Sequence, residues 1–438
     1  MSDSPFHRLV CGVETKAWGK VGHESLVAKF AKEAAPGLSI EACTPYAELW
    51  MGTYPSNPSK SFATGDSLEQ LIRQTERLFS SPLQEKTRNR LPFLLKVLSI
   101  ARPLSIQAHP NKRLAEQLHA SQPEIYPDDN HKPEMVIALS EFQGLCGLRP
   151  VSEVVHYLKS VPALRQLVGE DATQRCVDAA EGQSDDSEIR ATLAVRSAFE
   201  AVLKSDEASV RSVAKLVVED AKCQIINCIA YGTGSAHINF SYGLIITLSA
   251  YFPQDVGLLA VFFLKYIRLA PGEAIFLKAD TIHAHLSGDI IECMAASDNV
   301  LRAGLTPNYK DIDTFVQVLD SAVVEDLAVV PSDYSGTLLN DAAMRSGSYV
   351  KLYNPATPEV SVVQSVLVGQ AARAMFEAVA GPSLVLCTAG SGKISVGPYE
   401  EKMREGSVYH LHASTVMSLT SLTNKEFTVF IAFGDEEN

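Results

Sequence analysis

Hydrophobic residues follow two different spacings along the chain, and the change between them divides the sequence. From Pro5 to Pro150, short apolar runs such as LPFLLKVLSI and PEMVIAL are separated by Pro, Gly and Asn. This pattern predicts β-strands with a helix or two between them. From Val151 to about Phe252, apolar residues recur every three or four positions, as in VSEVVHYLKSV, which predicts amphipathic helices. Beyond Leu258, short strand-like runs return and continue to FTVFIAF.

The length of the chain fits this division. At 438 residues the chain is longer than one hydrophobic core usually supports, so we expect several domains. We predict a discontinuous β domain over 1–150 and 258–330, a helical insertion over 151–257, and a second β domain over 331–438. The fold class is therefore mainly β with a helical insertion.

Charge and composition narrow the classes of partner. The formal net charge is -13 and the pI is near 5.4, which argues against nucleic acid and anionic membranes as ligands. An anionic substrate would need a local basic site. Eight scattered cysteines favour reduced thiols over a disulfide framework. Without a recognisable leader or an apolar run of ~20 residues, the sequence predicts a cytoplasmic protein, and we expect a monomer.

Candidate metal ligands occur in three short segments. In LSIQAHP, Gln107 and His109 lie two residues apart on a predicted strand, so both side chains project from one face. Glu134 opens the apolar run EMVIAL, and His283 and His285 share a face in TIHAHLSGD. Imidazoles, an amide oxygen and a carboxylate brought together would suit a divalent metal ion.

A second histidine pair lies near the end of the sequence. His410 and His412 in VYHLHAS also share one face of a predicted strand. No carboxylate occurs in a matching position nearby, and short patterns of this kind often arise without function. We therefore interpret this pair as structural.

Several longer strings resemble one enzyme family. YAELWMGT, FLLKVLSI, LSIQAHPNK, HKPEM, GLCGLRP, APGEAIFLKA, SGDIIECMAASDNVLRAGLTP and YNP are similar to strings of the mannose-6-phosphate isomerases, and they occur in the order found in that family. The resemblance runs through nearly the whole chain. It implies cupin-like jelly-roll β-barrels and one Zn²⁺ per chain. It also implies interconversion of mannose 6-phosphate and fructose 6-phosphate through a cis-enediol, which would supply mannose 6-phosphate for GDP-mannose synthesis.

The resemblance also implies roles for individual residues. The zinc ligands would be Gln107, His109, Glu134 and His283, and the active-site arginine would be Arg302. Candidates for acid–base chemistry are His285 and Asp298. The residues expected to bind the sugar or its phosphate are Lys96, Ser105, Lys132, Trp18, Glu48, Glu292 and Lys310.

Three positions depart from the family pattern and keep alternatives open. Tyr54 stands where the family usually has a histidine, His285 where it has a tyrosine, and Asn308 where it has a lysine. One alternative is a paralogue that binds a sugar phosphate with altered catalysis. Another is a non-haem iron oxygenase, because two histidines and a glutamate also form the facial triad of those enzymes.

Overall fold

The computed structural model describes residues 4–76, 90–182, 187–231, 236–319 and 327–434. Its strands are β1 Phe6–Val10, β2 Gly12–Glu14, β3 Lys20–Val21, β4 Pro45–Tyr46, β5 Glu48–Met51, β6 Lys60–Ser61, β7 Phe93–Ile100, β8 Ile106–Ala108, β9 Glu134–Ala138, β10 Phe142–Leu148, β11 Leu264–Leu269, β12 Ala274–Leu277, β13 His283–Ala295, β14 Leu301–Gly304, β15 Ala328–Val329, β16 Ser332–Asp333, β17 Thr337–Leu339, β18 Tyr349–Tyr353, β19 Ser361–Leu367, β20 Arg373–Phe376, β21 Ser383–Ala389, β22 Ser391–Val396, β23 Tyr399–Arg404, β24 Val408–Leu411, β25 Met417–Ser421 and β26 Phe427–Phe433.

The helices lie mostly in the middle of the chain. They are α1 Leu26–Ala34, α2 Leu68–Glu76, α3 Lys112–Ser121, α4 Val151–Ser160, α5 Pro162–Val168, α6 Glu170–Glu181, α7 Ser187–Leu203, α8 Glu207–Tyr231, α9 Ala236–Ser249, α10 Gly257–Ala260, α11 Ile312–Leu319 and α12 Asp341–Arg345. Helices α4 to α10 thus follow one another between β10 and β11. Their apolar faces form one hydrophobic cluster that includes the bulky rings of Tyr157, Phe199, Phe262 and Phe263. Within the described residues, no helix is long and apolar enough to cross a bilayer.

An eleven-stranded sheet is organised around the long strand β13. The second half of β13 pairs with β7 on one side and β9 on the other. Its first half pairs with β8 and β10. Because adjacent strands place opposite residues within about 5 Å of each other, β13 connects four strands that carry polar side chains.

A second sheet of eight strands packs against the first, and the described residues also form a five-stranded sheet and the two-stranded sheet β3–β4. The cluster between the two larger sheets contains Leu95, Val97 and Ile291 from the first, and Leu384 and Phe430 from the second. Strand β1 belongs to this second sheet, where it pairs antiparallel with β24. Two segments distant in sequence therefore share one sheet.

The cysteines carry no disulfide within the part of the chain described. Cys11, Cys146, Cys176, Cys293 and Cys387 are buried free thiols, and Cys43 and Cys223 are exposed ones. This arrangement agrees with the expectation of reduced thiols.

Candidate metal centre and surrounding cavity

Strand β8 brings the predicted site residues together. Gln107 lies directly opposite His283 of β13 on one side and Arg302 of β14 on the other. His109 follows β8 two residues after Gln107, and Glu134 is the first residue of β9. The pairing register, rather than proximity in sequence, therefore assembles the cluster.

The four predicted ligands lie in contact. His109 Nε2 is 3.2 Å from Glu134 Oε1, and His283 Nε2 is 3.3 Å from Glu134 Oε2. The Gln107 amide nitrogen is 3.2 Å from His283 Nε2. The donor atoms of both histidines and the glutamate all lie within 4.8 Å of one another. His109, Glu134 and His283 are at most 2% exposed, so the cluster is shielded from bulk water.

Backbone carbonyls fix the orientation of both imidazoles. His109 Nδ1 donates to the carbonyl of Asn299 at 2.7 Å, and His283 Nδ1 donates to the carbonyl of Thr281 at 3.0 Å. A proton on Nδ1 leaves the lone pair of each Nε2 directed at the Glu134 carboxylate. Both rings are thus held in the tautomer that a metal ion requires.

The charge state of the cluster also suits a cation. Burial lowers the pKa of His109 to about 4, so this imidazole is neutral at physiological pH. Burial would raise the pKa of Glu134, but the adjacent Lys132 ammonium opposes this effect, and the pKa lies well below its usual value. Lys132 Nζ lies 3.4 Å from Glu134 Oε1. The carboxylate is therefore ionised.

Unpartnered atoms show that the residues fit a metal ion. Within the part of the chain that the structure describes, His109 Nε2 and Glu134 Oε2 are buried without a hydrogen-bond partner, a costly state for polar atoms unless a ligand satisfies them. Ser105 Oγ donates to Gln107 Oε1 at 3.2 Å. A 180° turn of that amide would direct Oε1 to the cluster and let the amide nitrogen donate to Ser105. Neutral nitrogen, amide oxygen and carboxylate donors together suit zinc.

A cavity of about 960 Å³ opens over the cluster. Most of the predicted substrate and catalytic residues line it. These residues are Trp18, Glu48, Lys96, Ser105, Lys132, His285, Glu292, Asp298 and Arg302, together with the predicted ligands Gln107 and Glu134. The remaining ligands, His109 and His283, contact Glu134 without lining the cavity.

Lys96 supplies a buried positive charge in the cavity wall. Its ammonium lies 3.3 Å from Glu48 and 3.9 Å from Glu292, and 4.2 Å from the ring centre of Trp50. Burial would lower the pKa of Lys96, but these two carboxylates, with Asp298 further away, raise it above the ordinary value. Lys96 is therefore charged although it is only 4% exposed.

The three predicted catalytic residues differ strongly in their surroundings. His285 is 1% exposed; its Nε2 lies 3.3 Å from Glu292 Oε1, and its Nδ1 is buried without a partner among the described residues. Arg302 is half-buried, and burial lowers the pKa of its guanidinium, although Asp298 opposes this effect. Asp298 itself is exposed. A buried imidazole, a half-buried guanidinium and an exposed carboxylate thus line one cavity.

Lys310 and Tyr54 do not themselves line this cavity, although the Tyr54 ring contacts the lining residue Trp50, with 5.9 Å between ring centres. Lys310 Nζ is 3.7 Å from Asp255 Oδ2, and Asn308, two residues earlier, lines the cavity instead. The Tyr54 hydroxyl donates to Asp128 Oδ2 at 3.0 Å.

Two further residues near the site were not predicted from the sequence. The Asn299 side chain donates from Nδ2 to the Asp128 carbonyl, Asp128 Oδ1 and the Asn130 carbonyl at 2.7, 3.1 and 3.0 Å. These bonds hold the backbone carbonyl that orients His109. Arg102 lines the cavity and stacks over Tyr251 at 5.8 Å. The sequence signal for Arg102 was its position just before LSIQAHP, the segment that carries the predicted ligands Gln107 and His109.

A family model and two fungal enzymes match this chain. Residues 6–151 match the family model "Phosphomannose isomerase type I, catalytic domain". The mannose-6-phosphate isomerase of Aspergillus fumigatus is 45% identical, with 99% of this chain and 98% of the relative covered. The enzyme of Emericella nidulans is 45% identical, with 98% and 97% covered.

A solved structure shows the same fold. It is mannose 6-phosphate isomerase from Salmonella typhimurium bound to F6P and zinc, with a TM-score of 0.74, 24% identity, and coverage of 99% of this chain and 100% of that chain. The match to the two fungal enzymes extends over almost the entire length of both partners. The chain therefore belongs to the mannose-6-phosphate isomerase family.

Proposed function

We propose that this protein interconverts mannose 6-phosphate and fructose 6-phosphate with one bound zinc ion. One observation carries the proposal: Gln107, His109, Glu134 and His283 meet at the base of a cavity whose wall supplies fixed positive charge. The relatives' names support mannose 6-phosphate as a substrate, and the solved Salmonella typhimurium enzyme bound to F6P supports the other member of the pair. The product mannose 6-phosphate would then serve GDP-mannose synthesis.

The same four residues would hold the zinc ion. Their net charge as ligands would be that of Glu134 alone, because an amide is neutral and an imidazole binds a metal ion in its neutral form. A zinc ion bound there keeps positive charge and acts as a Lewis acid toward sugar oxygens. The protein's contribution is to keep the lone pairs aligned through the Nδ1 hydrogen bonds of His109 and His283.

The isomerisation needs one proton moved between C2 and C1 and another between O2 and O1. Removal of the C2 proton gives a cis-enediol, whose oxygens carry the developing negative charge. Arg302 would stabilise that charge, because a guanidinium offers forked donors and stays protonated even when partly buried. His285 would exchange the proton through its unpartnered Nδ1. Asp298, next to Arg302, would return protons from solvent.

Substrate orientation would rest on the cavity wall. Lys96 and Lys132 place ammonium groups beside buried carboxylates, so each offers remaining donors to sugar hydroxyls or phosphate. Ser105, Trp18, Glu48 and Glu292 complete the predicted contacts. We add Arg102 as a phosphate contact at the cavity rim. Lys310 could contact the substrate only if its ion pair with Asp255 were broken.

We also infer the finer architecture. The eleven-stranded sheet would be the cupin-like jelly-roll of the catalytic domain, 1–150 plus 258–330, with the helices of 151–257 as an insertion. The eight-stranded and five-stranded sheets would form the second jelly-roll over 331–438, which β1 joins by pairing with β24. A single chain holds every proposed site residue, which supports a monomer.

A coupled assay of mannose 6-phosphate conversion tests the function directly. Turnover should disappear on chelation and return when zinc, but not iron(II), is restored. His109→Ala should lose both metal and turnover, whereas Arg302→Ala should keep zinc and lose rate. His23→Ala, at an exposed histidine, serves as the matched control and should retain both. Folded, zinc-loaded protein without turnover would refute the isomerase and favour a sugar-phosphate binder; restoration by iron would favour the oxygenase.

A further inference from the structure

Four hydrogen bonds near the candidate metal centre converge on the carboxylate of Asp128, which lies between α3 and β9. Its Oδ2 accepts from the Tyr54 hydroxyl at 3.0 Å and from the Asp298 backbone N–H at 2.8 Å. Its Oδ1 accepts from the Asn130 backbone N–H at 3.0 Å and from the Asn299 amide at 3.1 Å. A carboxylate offers about four acceptor sites, so this one is fully used. Asp128 therefore joins three segments that are far apart in sequence.

The segment that Asp128 holds carries groups with proposed roles in the reaction. Asp298 lines the cavity, and the hydrogen bond to Asp128 fixes its backbone at that point. The next residue, Asn299, directs its backbone carbonyl at His109 Nδ1, 2.7 Å away. Strand β14 then begins and carries Arg302. An acid–base candidate, a predicted zinc ligand and the active-site arginine thus depend on the placement of one short segment.

Tyr54 connects Asp128 to the eleven-stranded sheet. Its ring packs edge-on against Trp50 of strand β5, with 5.9 Å between ring centres. Trp50 in turn packs in a buried cluster with Leu94 and Met294. Burial and the adjacent Asp128 carboxylate raise the pKa of the Tyr54 hydroxyl, so this group stays protonated and donates. The sheet therefore sets the position of a donor that holds the Asp128 side chain in place.

We propose that Asp128 and Tyr54 are positioning residues for catalysis, with Asp128 holding the segment 296–299 and Tyr54 holding Asp128. This inference rests on the proposed function, since it assigns the two residues a part in the isomerisation. Neither residue lines the cavity, so each acts through Asp298 and His109 rather than on the sugar. Catalytic groups must keep their geometry to within about 0.5 Å, and a misplacement of about 1 Å can lower the rate about 100-fold. Removing such a support should therefore slow turnover or weaken zinc binding in a protein that still folds.

Zinc affinity of the purified full-length protein tests the connection to His109 and requires no turnover. Asp128→Ala removes every hydrogen bond that the carboxylate accepts. It should weaken zinc binding about tenfold, the lower end of the range for supports beneath a metal ligand, as measured by competition with a chromophoric chelator. Asp206→Ala is the matched control, because that carboxylate accepts hydrogen bonds from Ser209 at the start of α8, and it should keep wild-type affinity. Wild-type affinity in folded Asp128→Ala would overturn the proposal.

Steady-state kinetics test the connection to Asp298 and keep the proposal falsifiable if Asp128→Ala does not fold. Tyr54→Phe removes one hydroxyl and should retain its zinc and its KM for mannose 6-phosphate. Its kcat should fall about three- to tenfold, less than a displacement of about 1 Å would cause. In the Asp298→Asn background the same substitution should have no further effect on kcat. Tyr242→Phe removes an equivalent hydrogen bond, to Asp220 at 2.6 Å between α9 and α8, and should keep wild-type kcat.

Two kinetic results would contradict the positioning role. One is a kcat for Tyr54→Phe equal to that of Tyr242→Phe, and the other is an equal loss of kcat from Tyr54→Phe in the wild-type and Asp298→Asn backgrounds. If the wild-type protein itself has no turnover, the proposed function fails. The zinc affinities of Asp128→Ala and Asp206→Ala then still decide whether Asp128 positions the metal centre.

Discussion

The support beneath His109 can be tested by the substitution Asn299→Ala. The Asn299 amide makes three hydrogen bonds, to Asp128 and Asn130, and is fully buried. Loss of three bonds at about 1 kcal/mol each should destabilise the protein by about 3 kcal/mol. The Asn299 carbonyl, which accepts the His109 Nδ1–H at 2.7 Å, should then be less fixed. Losing such a support typically weakens metal binding about 10- to 100-fold, or about 1.4 to 2.7 kcal/mol.

Competition with a chromophoric chelator would measure zinc affinity, and urea unfolding would measure stability. Asn340→Ala provides the matched control: its side chain also makes three hydrogen bonds, to Ala343, Arg373 and Ala371, at the start of α12. That control should lose about 1 kcal/mol as a helix cap and keep zinc affinity. With saturating zinc, Asn299→Ala should recover near wild-type turnover because Asn299 does not line the cavity. Unchanged zinc affinity in a destabilised Asn299→Ala protein would refute the positioning role.

Three further predictions address charge. Arg302→Lys should retain zinc by elemental analysis but lose at least about tenfold in kcat, because an ammonium lacks the forked donors of guanidinium; unchanged kcat would remove Arg302 from the mechanism. Lys96→Met should lose about 3 kcal/mol in urea unfolding, since two buried carboxylates lose their counter-ion; wild-type stability would contradict this. The hydrogen bond from His131 lowers the pKa of Glu359, so its stabilisation exists above the ordinary glutamate pKa and disappears as pH falls through the lowered value. The melting-temperature difference between wild type and Glu359→Gln should therefore shrink from pH 7 to pH 3, and a constant difference would disprove the linkage.

Local patterns in the sequence predicted most elements of the fold. The alternation in TIHAHLSGD gave the correct shared face for His283 and His285, because side chains of a strand alternate at every residue. The three- and four-residue spacing after Val151 likewise predicted the helices α4 to α9. Both signals depend only on near neighbours in the chain.

Local sequence patterns could not predict features that depend on strand pairing between distant segments of the chain. Nothing in LSIQAHP specifies that Gln107 lies opposite Arg302, almost 200 residues away, because register is decided by the whole sheet. Asn299 was missed for a different reason: it acts on His109 through its backbone carbonyl, which every residue possesses.

Strand β1 and strand β2 are separated by Cys11 alone, yet they lie in different sheets. Strand β1 pairs on one edge with the nearby short strand β6, but its other partner, β24, leaves the ribosome about 400 residues later. Most of the chain must therefore be synthesised before β1 can complete its pairing, and closing such a long loop is slow. Fragments that end before β24 should leave one edge of β1 unpaired and should therefore be more sensitive to proteolysis than the full-length chain.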